Sequence, residues 1–211
     1  MERIYLNGNW DGDCISTDGN YEFEFSGNVP GCVHTDLLGK HIPKDIYYRD
    51  NADDCQWIEN CDWKYTKKFT IDSVSEKANL VFEGLDTYAD IFLNGKLLGS
   101  AQNMFIRHIF DVTNDLRVGE NAVSVLFHSP VQAVEGLEKR NGAFTCERMH
   151  TRRMQCTYGW DWVARFVTCG IWRDVYLDFG DEFKVCNTYI YTEAIFGNAA
   201  QIVVESELEN Y

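Results

Sequence analysis

The sequence predicts an all-β protein folded as a jelly-roll β-sandwich, and three observations carry that expectation. Short runs of alternating apolar and polar residues, separated by turn signals, recur through the first 180 positions. One such run leads into Asn94-Gly95, the pair that two-residue hairpin turns favour because both central positions need positive φ. Helical periodicity is confined to segments of one or two turns. Many strands with few helices bury their apolar faces by packing sheet on sheet. Their recurrence over about 180 residues fits a jelly roll better than a smaller sandwich.

Each element has its own warrant. After Pro30-Gly31, the segment from Val33 to Leu38 fits one helical turn. Trp63, Tyr65, Phe69 and Ile71 share one face of a strand, with Lys67 interrupting the pattern. Residues 79–84, centred on Leu80-Val81-Phe82, read as a more fully buried strand. Ala89, Ile91 and Leu93 alternate into the Asn94-Gly95 turn. Val123, Val125 and Phe127 repeat the period until Pro130, which has no amide proton to give a ladder. The segment from Val131 to Lys139 fits a second short helix, and Val175, Leu177 and Phe179 form a further strand. Beyond Phe179-Gly180-Asp181 the texture changes, and residues 183–195 and 199–208 read as two more strands. Two strands do not make a stable domain. We therefore divide the chain at residue 180, with 1–180 as the sandwich and 181–211 as the opening of a second, truncated domain.

Composition limits the function. The 211 residues are 45% hydrophobic and 14% aromatic, which describes an ordered globular chain. Nineteen Lys and Arg against 33 Asp and Glu give a net charge of −14. So acidic a chain repels phosphate backbones and anionic lipid, so neither nucleic acid nor membrane is an expected partner. The opening residues carry no basic stretch followed by an apolar run, and no apolar run approaches the roughly 20 residues of a membrane helix. No Asn-x-Ser/Thr site occurs. The eight cysteines include no Cys-x-x-Cys pair, and no histidine stands beside them at zinc-site spacing. We expect free thiols, no metal, no cofactor and a cytoplasmic setting.

No nucleophile elbow, phosphate loop, dinucleotide fingerprint or His-Glu-x-x-His motif is present. The densest chemistry lies in residues 152–173, which hold three of the six tryptophans, four arginines and one acid, Asp161. Aromatic faces suit the C–H side of a pyranose, and a carboxylate accepts paired hydrogen bonds from adjacent hydroxyls. The same residues also fit a packed core with Asp161 paired to an arginine. Composition alone leaves both readings open.

Three stretches together resemble a known family. Tyr158-Gly159-Trp160-Asp161-Trp162 followed by Gly170-Ile171-Trp172-Arg173 is similar to the segment that closes the N-terminal domain of glycoside hydrolase family 2 β-mannosidases. Val29-Pro30-Gly31-Cys32-Val33-His34-Thr35-Asp36-Leu37-Leu38, with Tyr47-Tyr48-Arg49-Asp50-Asn51 and Trp57-Ile58-Glu59, resembles that family's opening region. Gly84-Leu85-Asp86-Thr87-Tyr88 through Asn94-Gly95 resembles its central hairpin.

The resemblance implies a galactose-binding-like jelly roll, then the first strands of an immunoglobulin-like sandwich, with a (β/α)8 barrel further on. It implies retaining hydrolysis of terminal β-mannosides by two glutamates of the barrel. No residue of this chain is therefore assigned as catalytic, and the chain alone is expected to be inactive. By motif, Asp161 would hydrogen-bond hydroxyls of the −1 sugar and Trp160 would wall that subsite. Trp162, Arg153 and Gln155 would support the loop. The implied partners are a β-mannoside substrate and the protein's own later domains. Val163-Ala164 stands where the family has Gly-Pro, and Arg152-Arg153 where it has Arg-Lys. Gly and Pro set backbone freedom, so this departure bears on loop geometry and on strictness for mannose. A β-galactosidase or β-glucuronidase domain and a free-standing carbohydrate-binding module are the alternatives.

Overall fold

A computed structural model describes residues 2–16, 19–74, 77–138, 145–180 and 183–210. Two antiparallel sheets face each other. The larger is built from β2 (Gly8–Ser16), β3 (Glu22–Val29), β4 (Cys61–Ile71), β7 (Ala89–Leu93), β8 (Lys96–Ala101) and β10 (Gly119–Phe127), in the order β3-β2-β4-β10-β7-β8. The smaller contains β1 (Glu2–Tyr5), β5 (Ala78–Phe82), β9 (His108–Asp111) and β12 (Val175–Phe179), in the order β1-β12-β5-β9. Short strands β6 (Leu85–Asp86) and β11 (Gly170–Ile171) pair at one end. One turn of helix, α1 (Val33–Leu37), follows β3, and a single turn, α2 (Glu147–His150), lies after β10.

Alternation explains which way each strand faces. On β4, Trp63 and Tyr65 are buried, and on β10 Val123, Val125 and Phe127 meet the core. Leu80 and Phe82 of β5 and Val175 and Leu177 of β12 close the other side. Each of the larger side chains contributes about 1.5–3 kcal/mol through removal from water. β5 is buried at all five positions, as expected of 79–84. Lys67, which broke the pattern on β4, ends in an ammonium that donates to the Asn7 and Asn9 carbonyls at 3.3 and 2.9 Å.

The hairpin turn adopts the conformation its residues favour. Asn94 has φ 52° and Gly95 φ 83°, the two positive angles of a primed turn. The Asn94 side chain also accepts from the Ala122 amide at 3.0 Å and donates to Asn121 at 2.9 Å, tying the turn to β10. The helical expectation at Val33–Leu38 corresponds to α1. That for Val131 to Lys139 yields only a 3-10 turn, Gln132–Val134, and Lys139 lies outside the described residues. A 3-10 helix at Asp53–Asn60 was not foreseen; it buries Cys55 and Ile58 without any long periodic stripe.

After β12 the chain forms one hairpin, β13 (Phe183–Phe196) and β14 (Ala199–Asn210), paired only with each other among the described residues. Tyr189, Ile190, Ile195, Phe196, Val204 and Leu208 on it are exposed. The expected division at residue 180 abuts residues 181 and 182, which lie outside the described residues.

Candidate functional site

The segment from Thr145 to Arg173 is mostly irregular, so side chains rather than a ladder must fix it. Its anchor is Arg153, whose side chain is wholly buried. One terminal nitrogen donates to Asp86 Oδ2 at 3.0 Å, to the Thr168 carbonyl at 2.8 Å and to Thr168 Oγ1 at 2.9 Å. Thr168 Oγ1 donates in turn to Asp86 Oδ2 at 2.7 Å, and Thr87 also donates to Asp86. Residues 153 and 168, fifteen positions apart, are thereby clamped to the end of β6. Burial, and then the charge of Arg153, push the pKa of His34 down to about 4 and keep it neutral.

A second clamp lies nearer the surface. Arg165 meets Glu59 through two nitrogens at 2.8 Å and reaches Glu147 at 3.2 Å. Burial opposes its charge, but these carboxylates outweigh burial and raise its pKa. Gln56 donates to the Arg165 carbonyl at 2.9 Å. The Tyr158 ring stands between the guanidinium groups of Arg153 and Arg165, 5.3 and 5.4 Å from its centroid. Next comes Gly159 at φ 82°, where an added Cβ would meet Arg165 Cβ at 3.2 Å.

These clamps present a four-residue turn. Trp160 and Val163 exchange backbone hydrogen bonds of 3.0 and 3.4 Å, leaving Asp161 and Trp162 at the tip. Trp160 is 47% exposed and Trp162 71% exposed. The Asp161 side chain is exposed and forms no hydrogen bond or ion pair among the described residues. Arg148 lies over the Trp160 ring at 4.8 Å and donates to the Gly159 carbonyl. Phe105, Ile106 and Met154 are also about half-exposed. A cleft of about 590 Å³ adjoins the turn, with Arg148, Arg152, Gln155 and Phe105 in its walls.

Trp160, Asp161 and Trp162 thus come together on one exposed turn, and the reading that buried them in a core with Asp161 paired to an arginine is not what forms. Trp162 is 71% exposed, so a supporting role for it would need a surface from elsewhere. Arg153 lies beneath the turn rather than in it. Gln155 is exposed, and its amide caps the Arg153 carbonyl at 3.2 Å. Trp172 is half-buried, its indole donating to the Met104 carbonyl at 3.2 Å and resting on Gly84, where any Cβ would collide with it. Sequence reasoning placed Glu59 and Arg165 in recognisable stretches without giving them a task, and it missed Arg148 altogether. A lone arginine in an aperiodic segment carries no spacing signal.

Among the described residues no group of three His, Cys, Asp or Glu side chains is arranged to hold a metal ion. The eight cysteines are free thiols.

Residues 14–173 match the glycosyl hydrolase 2 galactose-binding domain-like family. The chain belongs to this family. β-Mannosidase of Bos taurus is 38% identical over 207 residues, covering 90% of this chain and 23% of that protein. β-Mannosidase of Capra hircus is 39% identical over the same shares. The chain therefore spans under a quarter of the length of these curated relatives. Among solved structures, a β-D-mannosidase from Dictyoglomus thermophilum superposes with a TM-score of 0.88 at 33% identity, over 100% of this chain and 26% of that one. A β-glucuronidase from Bifidobacterium dentium superposes at 0.62 with 23% identity, which speaks for the shared family 2 fold alone.

Proposed function

We propose that this chain is the N-terminal domain of a β-mannosidase, and that its Trp160–Val163 turn forms part of the pocket for the terminal sugar. The single observation that carries the reading is the turn itself: an exposed carboxylate, without a partner among the described residues, between two exposed indoles, held by two buried or half-buried arginine clamps. Asp161 would accept hydrogen bonds from adjacent hydroxyls of the −1 mannose, and Trp160 would cover the sugar's C–H face. The resemblance to mammalian β-mannosidases at 38–39% identity supports mannose as the sugar.

The chemistry belongs to carboxylates beyond this chain. In retaining hydrolysis one carboxylate attacks the anomeric carbon while the other protonates the departing oxygen; water then releases the sugar from the glycosyl-enzyme. This domain contributes orientation, and the 211 residues alone should not turn over substrate. The exposed apolar side chains of β13 and β14 support a continuation into an immunoglobulin-like sandwich. The free thiols support a reducing, cytoplasmic setting.

A panel of 4-nitrophenyl β-glycosides on the full-length protein tests the reading. Preference for the β-mannoside over the β-galactoside and β-glucuronide is expected. Preference for either of the latter would overturn the assignment of mannose.

A further inference from the structure

The cleft beside the turn holds one guanidinium, that of Arg152, which the mannoside reading does not use. Arg148, His150, Arg152 and Gln155 line it with the Phe105 ring, and no aspartate or glutamate does among the described residues. That is unusual in a chain with 33 acids against 19 bases. Two carboxylates bonded to or beside its lining residues are already engaged, Glu147 with Arg165 and Asp86 with Arg153. Arg152 is exposed, lies over the Phe105 ring at 5.7 Å and forms no ion pair among the described residues. A guanidinium resting on an aromatic face keeps its in-plane N–H donors available to an acceptor.

Donor chemistry decides the class of ligand. The hydroxyls of a neutral pyranose both donate and accept, so a site for it pairs donors with an acceptor such as the Asp161 carboxylate. The His150 ring already donates to the Glu138 carbonyl at 3.0 Å and the Gln155 amide to the Thr151 and Arg153 carbonyls, so the cleft offers the Arg152 guanidinium with Arg148 beside it, and no carboxylate among its described lining residues. Such a set fits an oxoanion, whose oxygens match the planar guanidinium fork in bidentate fashion. At about 590 Å³ the cleft is also within the usual range for a small-molecule site.

We propose that this cleft binds an oxoanion (carboxylate, sulfate or phosphate), with Arg152 as its principal ligand. Arg148 donates to the Gly159 carbonyl and covers Trp160, so its share is a nearby positive charge. The net negative charge of the chain opposes approach, but salt screens it beyond about 8 Å at physiological ionic strength. Because Arg148 both lines the cleft and lies over Trp160, an acidic substituent on the glycan is one source of the anion. That source rests on the mannoside reading; the oxoanion site does not.

The test is a calorimetric titration of the full-length protein with inorganic phosphate, mannose 6-phosphate and methyl α-D-mannoside. Saturable binding of both phosphates is expected, weakened about tenfold or more in Arg152→Gln and less in Arg152→Lys. Thermal unfolding should show both variants folded. Tighter binding of mannose 6-phosphate than of phosphate would assign the anion to a glycan, and equal binding to a free oxoanion; either supports the site. No saturable binding of either phosphate would overturn it, as would undiminished binding in Arg152→Gln or equal affinity for the neutral mannoside. The phosphate titration involves no hydrolysis, so it can fail while mannosidase activity stands, and succeed where that activity is absent.

Discussion

Replacing Arg153 by methionine removes the guanidinium that ties residues 153 and 168 of the Thr145–Arg173 segment to Asp86. The consequence can be worked from the contacts. Arg153 and Asp86 have side-chain exposures of 0% and 3%, so neither charge has water to fall back on. Arg153→Met deletes three hydrogen bonds from one nitrogen and leaves Asp86, among the described residues, with the hydroxyls of Thr168 and Thr87. Breaking a buried ion pair from one side costs about 3–5 kcal/mol; the two remaining hydroxyl donors place the expectation near ~3. A loss of that size lowers the melting temperature by roughly 6–12 °C in a domain this large. The double variant Arg153→Met/Asp86→Leu leaves no orphaned charge, since an apolar pair can replace a buried ion pair at little cost. It should recover about 2 kcal/mol relative to the sum of the single losses. Urea unfolding followed by tryptophan fluorescence gives all four corners of the cycle. A loss below about 1 kcal/mol in Arg153→Met, or additive single losses, would refute the clamp.

His128 gives a pH-dependent prediction. It lies between Asp90 at 2.9 Å and Asp62 at 3.2 Å; partial burial disfavours its charge, but the two carboxylates prevail and raise its pKa above 6.5. A raised folded-state pKa stabilises fully below the unfolded value and is lost as pH rises through the folded one. Melting temperatures of the wild type and His128→Asn should therefore converge as pH climbs from about 5.5 to 8.5; a constant gap would contradict this. Arg148→Met removes the cation over Trp160 and the donor to Gly159. It should lower kcat/KM of the full-length protein on an aryl β-mannoside about tenfold, with Arg148→Lys partly restoring it. An unchanged kcat/KM would show that Trp160 needs no such cover.

The sandwich was legible because its strands alternate and its hairpin turn has a residue pair with few other uses. Trp63, Tyr65 and Phe127 declare their faces by period two, and Asn94-Gly95 declares the turn. The helix at Asp53–Asn60 was not legible, since 3-10 geometry has no long stripe to betray it. At the site, Trp160 and Asp161 could be found by motif, but what holds them could not. Glu59 and Arg165 are 106 residues apart, and Asp86 and Arg153 are 67 apart. Such pairs exist only once the sheets have formed. Exposure was equally hidden: nothing in the residue string distinguishes Trp162 at the tip from Trp172 resting on Gly84.

The central claim is that Asp161 faces the terminal mannose. Steady-state kinetics of Asp161→Ala and Asp161→Asn in the full-length protein on 4-nitrophenyl β-D-mannoside test it directly. The carboxylate is exposed and without a partner among the described residues, so stability should change by less than about 0.5 kcal/mol. Loss of its hydrogen bonds to two hydroxyls should cut kcat/KM by roughly 10²–10³-fold in the alanine variant. Wild-type kinetics in a folded Asp161→Ala protein would contradict the account.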